Sequence, residues 1–163
     1  MSESLITPEA RAWADRGYPD VDVAITARDI AKFAHATGET DSVFFDAGAA
    51  RAAGYRDVVA PQMFYLLLRS EPYHLRSRSE LERDGSASED IPPLAVTRAM
   101  AGETQLEFSG RFVAGDVVTC SKRLTDMTEK QGRSGALVLL HFEYRYVVEG
   151  ETRVVERFTR ILR

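Results

Sequence analysis

The groups in this chain that could do proton chemistry are few. It holds three histidines, His35, His74 and His141, and one cysteine, Cys120. No pair of His, Cys or carboxylate has a metal-ligand spacing, so no metal site is expected. His141 falls among Glu143 and Arg145 on a half-polar stretch, and His74 follows Glu71-Pro72-Tyr73. His35 stands on the helix just before the loop Glu39–Asp46 (ETDSVFFD). Within it, Glu39 reads either as a solvated loop carboxylate or as a site residue. Asp41 reads first as a side-chain turn former. Phe44 and Phe45 read as core or as the wall of a channel.

The elements that must position this loop are legible on either side. Thr26 to Thr37 is predicted as a helix: Thr26 with Asp29 makes a capping-box-like start, and Gly38 is a natural stop. Ala47 to Ala53 is a short small-residue helix. At Ala60-Pro61 a loop ends and an apolar helix begins, Met63 to Leu68. Proline suits a first turn, where its missing N–H costs nothing. A helix apolar nearly all round is expected to be buried, and this one is far short of the roughly 20 residues that span a bilayer. From Met100 the pattern changes to period two. Strands are predicted over Thr104–Phe112, Val117–Met127, Ala136–Val148 and Thr152–Leu162, with Glu129–Gly135 as a polar turn. Val21–Ile25 reads as a short edge strand or loop, and residues 1–20 as a lead-in with a helical turn near Pro8. The expected class is α+β: one buried helix wrapped by a curved antiparallel sheet. The 163 residues suit one domain, with 70–98 an irregular insertion or lid rich in Pro, Ser, Arg and Glu.

A net charge of −4 with both signs dispersed gives no support for nucleic-acid or membrane binding. A single cysteine fits a reducing cytoplasm, and the opening MSESLITPEARAW lacks the form of a secretory signal.

A helix ending in ATGE, a short loop, AARAAGYRDVVAP before an apolar helix, then FSGRFVAGDVVTC and EKQGRSG, resemble the MaoC-like hydratases and dehydratases. Within them the resemblance is to the amino-terminal, fatty-acid-synthase-like dehydratase group, and it runs from about Val21 to Arg163. It implies a hot-dog fold, a long helix wrapped by an antiparallel sheet. It also implies hydration of enoyl thioesters, or dehydration of 3-hydroxyacyl thioesters, carried by CoA or an acyl-carrier protein. No cofactor is implied. Members work as dimers of hot-dog subunits, homodimeric or heterodimeric, that join their sheets. Their catalytic loop has the form D-x-N-P-x-H, whose Asp and His do general acid–base work. Here Glu39 stands at the Asp, Asp41 at the Asn, Ser42 at the Pro and Phe44 at the His. Glu39 and Asp41 are therefore the candidate catalytic residues, and Phe44 cannot move a proton. Similar acidic-then-aromatic loops occur in non-catalytic subunits of actinobacterial heterodimeric dehydratases. There a partner chain brings the Asp/His pair, and the silent chain shapes the acyl channel.

The resemblance further places substrate contacts at Phe44, Ala60, Pro61, Gln62 and Met63. The start of the central helix holds the thioester oxygen, because a helix N-terminus presents free N–H groups and a positive dipole end. The N–H of Gln62 is the candidate donor, since Pro61 has none. Arg111, Lys122, Arg123, Lys130 and Arg133 are candidates to meet phosphates of the carrier arm. Two other readings stay open: a hot-dog protein that binds an acyl thioester without turnover, and a thioesterase in which Glu39 activates water.

Overall fold

A computed structural model describes residues 4–74, 77–81, 91–96, 98–133 and 135–163, with only the backbone for 71–74. Its helices are α1 (Pro8–Arg11), α2 (Ala27–Thr37), α3 (Ala47–Ala52) and α4 (Tyr65–His74). Its strands are β1 (Arg16–Gly17), β2 (Val21–Ala24), β3 (Ala99–Phe108), β4 (Val117–Gly132), β5 (Gly135–Val148) and β6 (Glu151–Leu162). Single 3₁₀ turns lie at Ser42–Phe44, Gln62–Phe64 and Arg78–Glu80. The strands form one six-stranded antiparallel sheet in the order β1-β4-β5-β6-β3, with β2 also on β4.

Alternation along β5 decides which face is which. Val138, Leu140, Phe142, Tyr146 and Val148 are all buried, as the period-two reading requires. Their inner face is covered by two different things. Phe64, Tyr65 and Leu68 of the central helix pack on Val118, Tyr146, Val148 and Val154 at one end of the strands. At the other end, Ile6 and Ala10 from the chain's beginning pack on Leu124, Met127, Val138, Leu140 and Leu162, joined by Ile91, Leu94 and Val96. Strands of 14 to 16 residues reach well past a ten-residue helix. The lead-in is therefore a second piece of core.

The central helix is less enclosed than its composition predicts. It opens with the 3₁₀ turn, and Met63 is 44% exposed while Leu66 and Leu67 are only partly buried. Phe64, Tyr65 and Leu68 are the residues it buries against the sheet, and Phe33 of α2 meets Phe64 edge-on with ring centroids 5.4 Å apart. Pro61 sits just outside the turn in an extended conformation, φ −56°, ψ 153°. The Glu129–Gly135 turn is also shorter than expected: Glu129, Lys130 and Gln131 pair with Val138, Leu137 and Ala136. Polar residues can extend a hairpin where it leaves the core, because the ladder bonds are made by backbone alone. Strand β3 lies earlier than expected. It ends at Phe108, and Phe112, 3% exposed, is core outside any strand. Of the expected insertion at 70–98, residues 75–76, 82–90 and 97 lie outside the described residues, as does the side chain of His74.

Helix α2 is held at both ends as its sequence predicts. Thr26 Oγ1 accepts from the N–H of Asp29 (3.1 Å), and Asp29 Oδ2 accepts from the N–H of Thr26 (3.3 Å). Gly38 closes the helix at φ 75°, a conformation open to glycine without strain. Thr26→Ala is expected to cost about 1 kcal/mol, read as a lowered midpoint in urea unfolding. No change would mean that the cap does not support the helix.

Among the described residues no helix is long and apolar enough to cross a membrane.

Candidate functional site

The loop after α2 is built by its own polar residues. Asp41 Oδ1 accepts from the N–H of Val43 (3.1 Å) and starts the 3₁₀ turn. Asp46 Oδ1 accepts from the N–H of Ala49 (2.6 Å) and starts α3. Between them Phe44 turns inward, 8% exposed, against Ala34 and Val59. Phe45 packs against the His35 ring, with centroids 4.6 Å apart.

The loop is tied to the start of the central helix. The N–H of Val59 donates to the carbonyl of Val43 (3.2 Å). Val59 also forms a bridge with Val113, while Ala60 N–H donates to Phe112 O and Ala114 N–H to Val58 O, both at 2.8 Å. Asp116, 5% exposed, accepts from the N–H of Val113 (2.7 Å) and pairs with Arg56. The approach Val58–Pro61 is thereby fixed as a buried strut. From it Gln62 and Met63 emerge exposed, and Phe64 N–H donates back to Pro61 O (3.0 Å). The N–H groups of Gln62 and Met63 have no acceptor among the described residues. They are the free donors of a helix start.

The expected site residues therefore divide. Glu39, Asp41, Gln62 and Met63 are exposed, and Phe44, Ala60 and Pro61 are buried. One hydrogen bond, Val43 to Val59, brings their two segments together. Glu39 makes no side-chain hydrogen bond or ion pair among the described residues, so it is free to act but held by nothing. Asp41 spends an oxygen on its own turn. His141 lies away on the outer face of the sheet, its ring nitrogens 3.0 Å from Thr128 Oγ1 and 3.2 Å from Thr159 Oγ1. Among the described residues no three His, Cys, Asp or Glu gather where they could hold a metal.

Two features were not anticipated. A cavity of about 240 Å³ opens beside the central helix, lined by Val23, Ile25, Phe64, Leu67 and Leu68 with Asp29 and Lys32 at its edge. The other is a buried carboxylate. Glu156 on β6 is 0% exposed, with Oε1 2.5 Å from Arg69 Nη1 and Oε2 accepting from the hydroxyl of Tyr146 (2.9 Å). Burial pushes the Glu156 carboxyl above its usual value, against the pull of Arg69 and Tyr146. Burial first, and then Glu156, raise Tyr146 as well; the same two causes raise Tyr65, whose ring meets Tyr146 edge-on. The sequence did carry a signal: alternation places Glu156 between the inward Val154 and Phe158.

Over residues 13–157 the chain matches the family described as FAS1-like, dehydratase domain region. A UPF0336 protein of Thermobifida fusca is 33% identical over 110 residues, which cover 66% of this chain and 64% of that protein. A UPF0336 protein of Leifsonia xyli is 31% identical over 123 residues, 75% of this chain and 76% of that protein. Among solved structures, the C-terminally truncated HadBC (3R-hydroxyacyl-ACP dehydratase) complex of Mycobacterium tuberculosis aligns over 91% of this chain and 96% of its own. The TM-score is 0.68 and the identity 16%. The ChsH1–ChsH2 complex of the same organism gives a TM-score of 0.71 at 16% identity, covering 93% and 90%. The unliganded R-hydratase PhaJ1 of Pseudomonas aeruginosa gives 0.65 at 16%, covering 91% and 81%. At such identities these likenesses show the fold, which is the hot-dog fold.

Proposed function

Because the chain belongs to the FAS1-like dehydratase region family of hot-dog proteins, we propose that it is a subunit for hydration of enoyl thioesters or dehydration of 3-hydroxyacyl thioesters, and that it is the non-catalytic half of its dimer. The observation that carries the second part is Phe44. At the position where the resemblance calls for a histidine, a side chain that cannot exchange protons is buried against Ala34 and Val59. Glu39 alone offers one carboxylate with no partner among the described residues to orient it, whereas adding water across a double bond needs a proton taken and a proton given. In this reading the partner subunit supplies the Asp and His. This chain supplies the wall of the acyl site and, at Gln62, a free N–H at the start of the central helix.

The partner's place is supported by strand β3. It pairs on one side with β6 and, among the described residues, has no neighbour on the other. It carries exposed Met100 and Phe108, 40% and 39%. An open edge of ten residues is a template for a further strand, and a related hot-dog subunit is the occupant we assign to it. Two of the similar structures are complexes of two named subunits.

The test follows enoyl absorbance with crotonyl-CoA and a longer enoyl-CoA, with free thiol monitored in parallel. The purified chain alone is expected to do neither reaction. Mixed with a related hot-dog subunit that carries the Asp/His pair, it is expected to raise that subunit's hydration rate. Hydration by the lone chain would overturn the non-catalytic reading and point to Glu39, and thiol release would make the protein a thioesterase.

A further inference from the structure

The outer face of the sheet, turned away from the central helix, carries a cavity of about 500 Å³ that the reading above leaves unused. One cross-strand row builds it. His141 on β5 stands opposite Thr159 on β6, and both strands that flank this pair break register at the same level. On β4, Thr125 is an extra residue between Leu124, opposite Phe142, and Asp126, opposite His141. On β3, Gly102 and Glu103 together face the single residue Thr159, between Ala101 opposite Arg160 and Thr104 opposite Phe158. A bulge bends its strand and re-aims its side chains. Two bulges at the ends of one row curve the outer face around it, and Thr125 and Glu103 both stand in the cavity wall. Gly102 lets the β3 bulge close onto β6: a Cβ there would lie 2.8 Å from Thr159 O.

The groups of the wall are polar and held in place. The His141 ring has a threonine hydroxyl at each nitrogen, Thr128 Oγ1 at 3.0 Å and Thr159 Oγ1 at 3.2 Å, and Thr125 Oγ1 donates to His141 O (2.9 Å). Gln105 Nε2 donates to Glu103 Oε1 (2.9 Å). Glu143 accepts from Arg145 (2.9 Å) and has Arg157 Nε 3.5 Å away, while Arg157 also pairs with Glu107. Charges of both signs therefore face the cavity, which disfavours a bare ion of either sign. Among the described residues no three His, Cys, Asp or Glu gather to hold a metal. Glu103 Oε2 and Gln105 Oε1 make no hydrogen bond among the described residues. Open acceptors thus stand beside amide, hydroxyl and guanidinium donors. A ligand that meets both kinds must donate and accept at several points, as a row of hydroxyls does.

We propose that this cavity binds a neutral polyhydroxylated molecule of one or two sugar rings. Its volume falls within the range of small-ligand sites, about 300–1,000 Å³. Glu103 accepts hydrogen bonds from the ligand's hydroxyls, bonds that its charge strengthens. Gln105 beside it both accepts and donates, and Thr125 meets the ligand from β4, across His141. The site lies on the opposite face of the sheet from the central helix, so it does not rest on the thioester reading.

The experiment is NMR titration of the isotope-labelled full chain with glucose, maltose, inorganic phosphate and spermidine. Glucose or maltose is expected to give saturable shifts confined to Gln105, Thr125, His141 and Thr159 and their neighbours, and the two ions none there. Glu103→Ala with Gln105→Ala, both exposed positions, is expected to raise the sugar Kd at least about tenfold, the scale of two lost hydrogen bonds. Maltose tighter than glucose assigns two rings to the cavity and equal affinity assigns one; both uphold the site. No saturable shift with either sugar, shifts that fall elsewhere, an equal response to phosphate or spermidine, or a folded double variant with unchanged Kd would overturn it. Should the double variant fail to fold, the wild-type comparison of sugars with ions still decides.

Discussion

Arg69→Met is expected to remove about 3–5 kcal/mol of folding stability, the cost of leaving a buried charge unpaired. For a chain of this size that is a fall in Tm of roughly 10 °C. Glu156 is fully buried, and Arg69 is its only cation among the described residues. The guanidinium also lies 5.0 Å from the centre of the Phe158 ring. The loss has a pH signature. Glu156 in the folded chain titrates above the ordinary value of 4.5 because of burial. Its favourable contribution is therefore complete below 4.5 and is lost as pH rises through the raised folded value. Removing Arg69 takes away a group that holds that value down, so the gap between variant and wild type should widen with rising pH and close on acidification. Arg69→Met combined with Glu156→Leu and Tyr146→Phe should recover most of the loss, since a well-packed apolar replacement of a buried pair is often neutral once the Tyr146 hydroxyl that donates to Glu156 is removed as well. Urea unfolding at several pH values measures all of this. A deficit under about 1 kcal/mol, or one that is flat with pH, would mean that solvent reaches Glu156 when Arg69 is gone.

The second large effect is a gain. Glu39→Asp with Phe44→His is expected to raise hydration of crotonyl-CoA by the lone chain by about 10²-fold or more over the wild-type background, the lower bound for a positioned acid–base pair. The scaffold for such a pair is present: α2 capped at both ends, a loop tied to Val59, and free N–H groups at Gln62. The substitution carries a cost, because Phe44 fills space against Ala34 and Val59. A smaller polar ring there should lower stability by about 2 kcal/mol, so rates must be normalised to folded protein. A folded variant with no gain would show that position 44 does not face the thioester, and that the loop has diverged in direction as well as in residue type.

The sheet and α2 were legible because their signals are local. Alternation in β5 and the Thr26/Asp29 cap are properties of neighbouring residues, and both hold. The second core was not legible. Nothing in Ile6 or Ala10 reveals that they pack on Leu140, because that contact depends on the strands outrunning the central helix. The extent of β4 escaped for a related reason: Glu129-Lys130-Gln131 looks like a turn by composition, but ladder bonds belong to the backbone. Within the candidate site, the loop and the helix start are readable as segments, while the Val43–Val59 hydrogen bond that joins them is not. Glu156 and Arg69 stand 87 positions apart; alternation flags the first, and only the fold supplies the second.

That separation bears on how the chain matures. Strand β6 is the latest of the six in sequence, yet it is the strand that β3 pairs with and the one that bears Glu156. A growing chain makes the β4–β5 hairpin from adjacent residues, but until β6 has been synthesised Arg69 has no counter-ion and β3 has no ladder. Through that interval the edge of β3 that β6 will pair stands open. With translation at roughly 5–20 residues per second, the gap between Arg69 and Glu156 is several seconds of exposure on the ribosome. In the dimer proposed above, a subunit already folded would cover the edge of β3 that has no strand beside it among the described residues before an unrelated strand does.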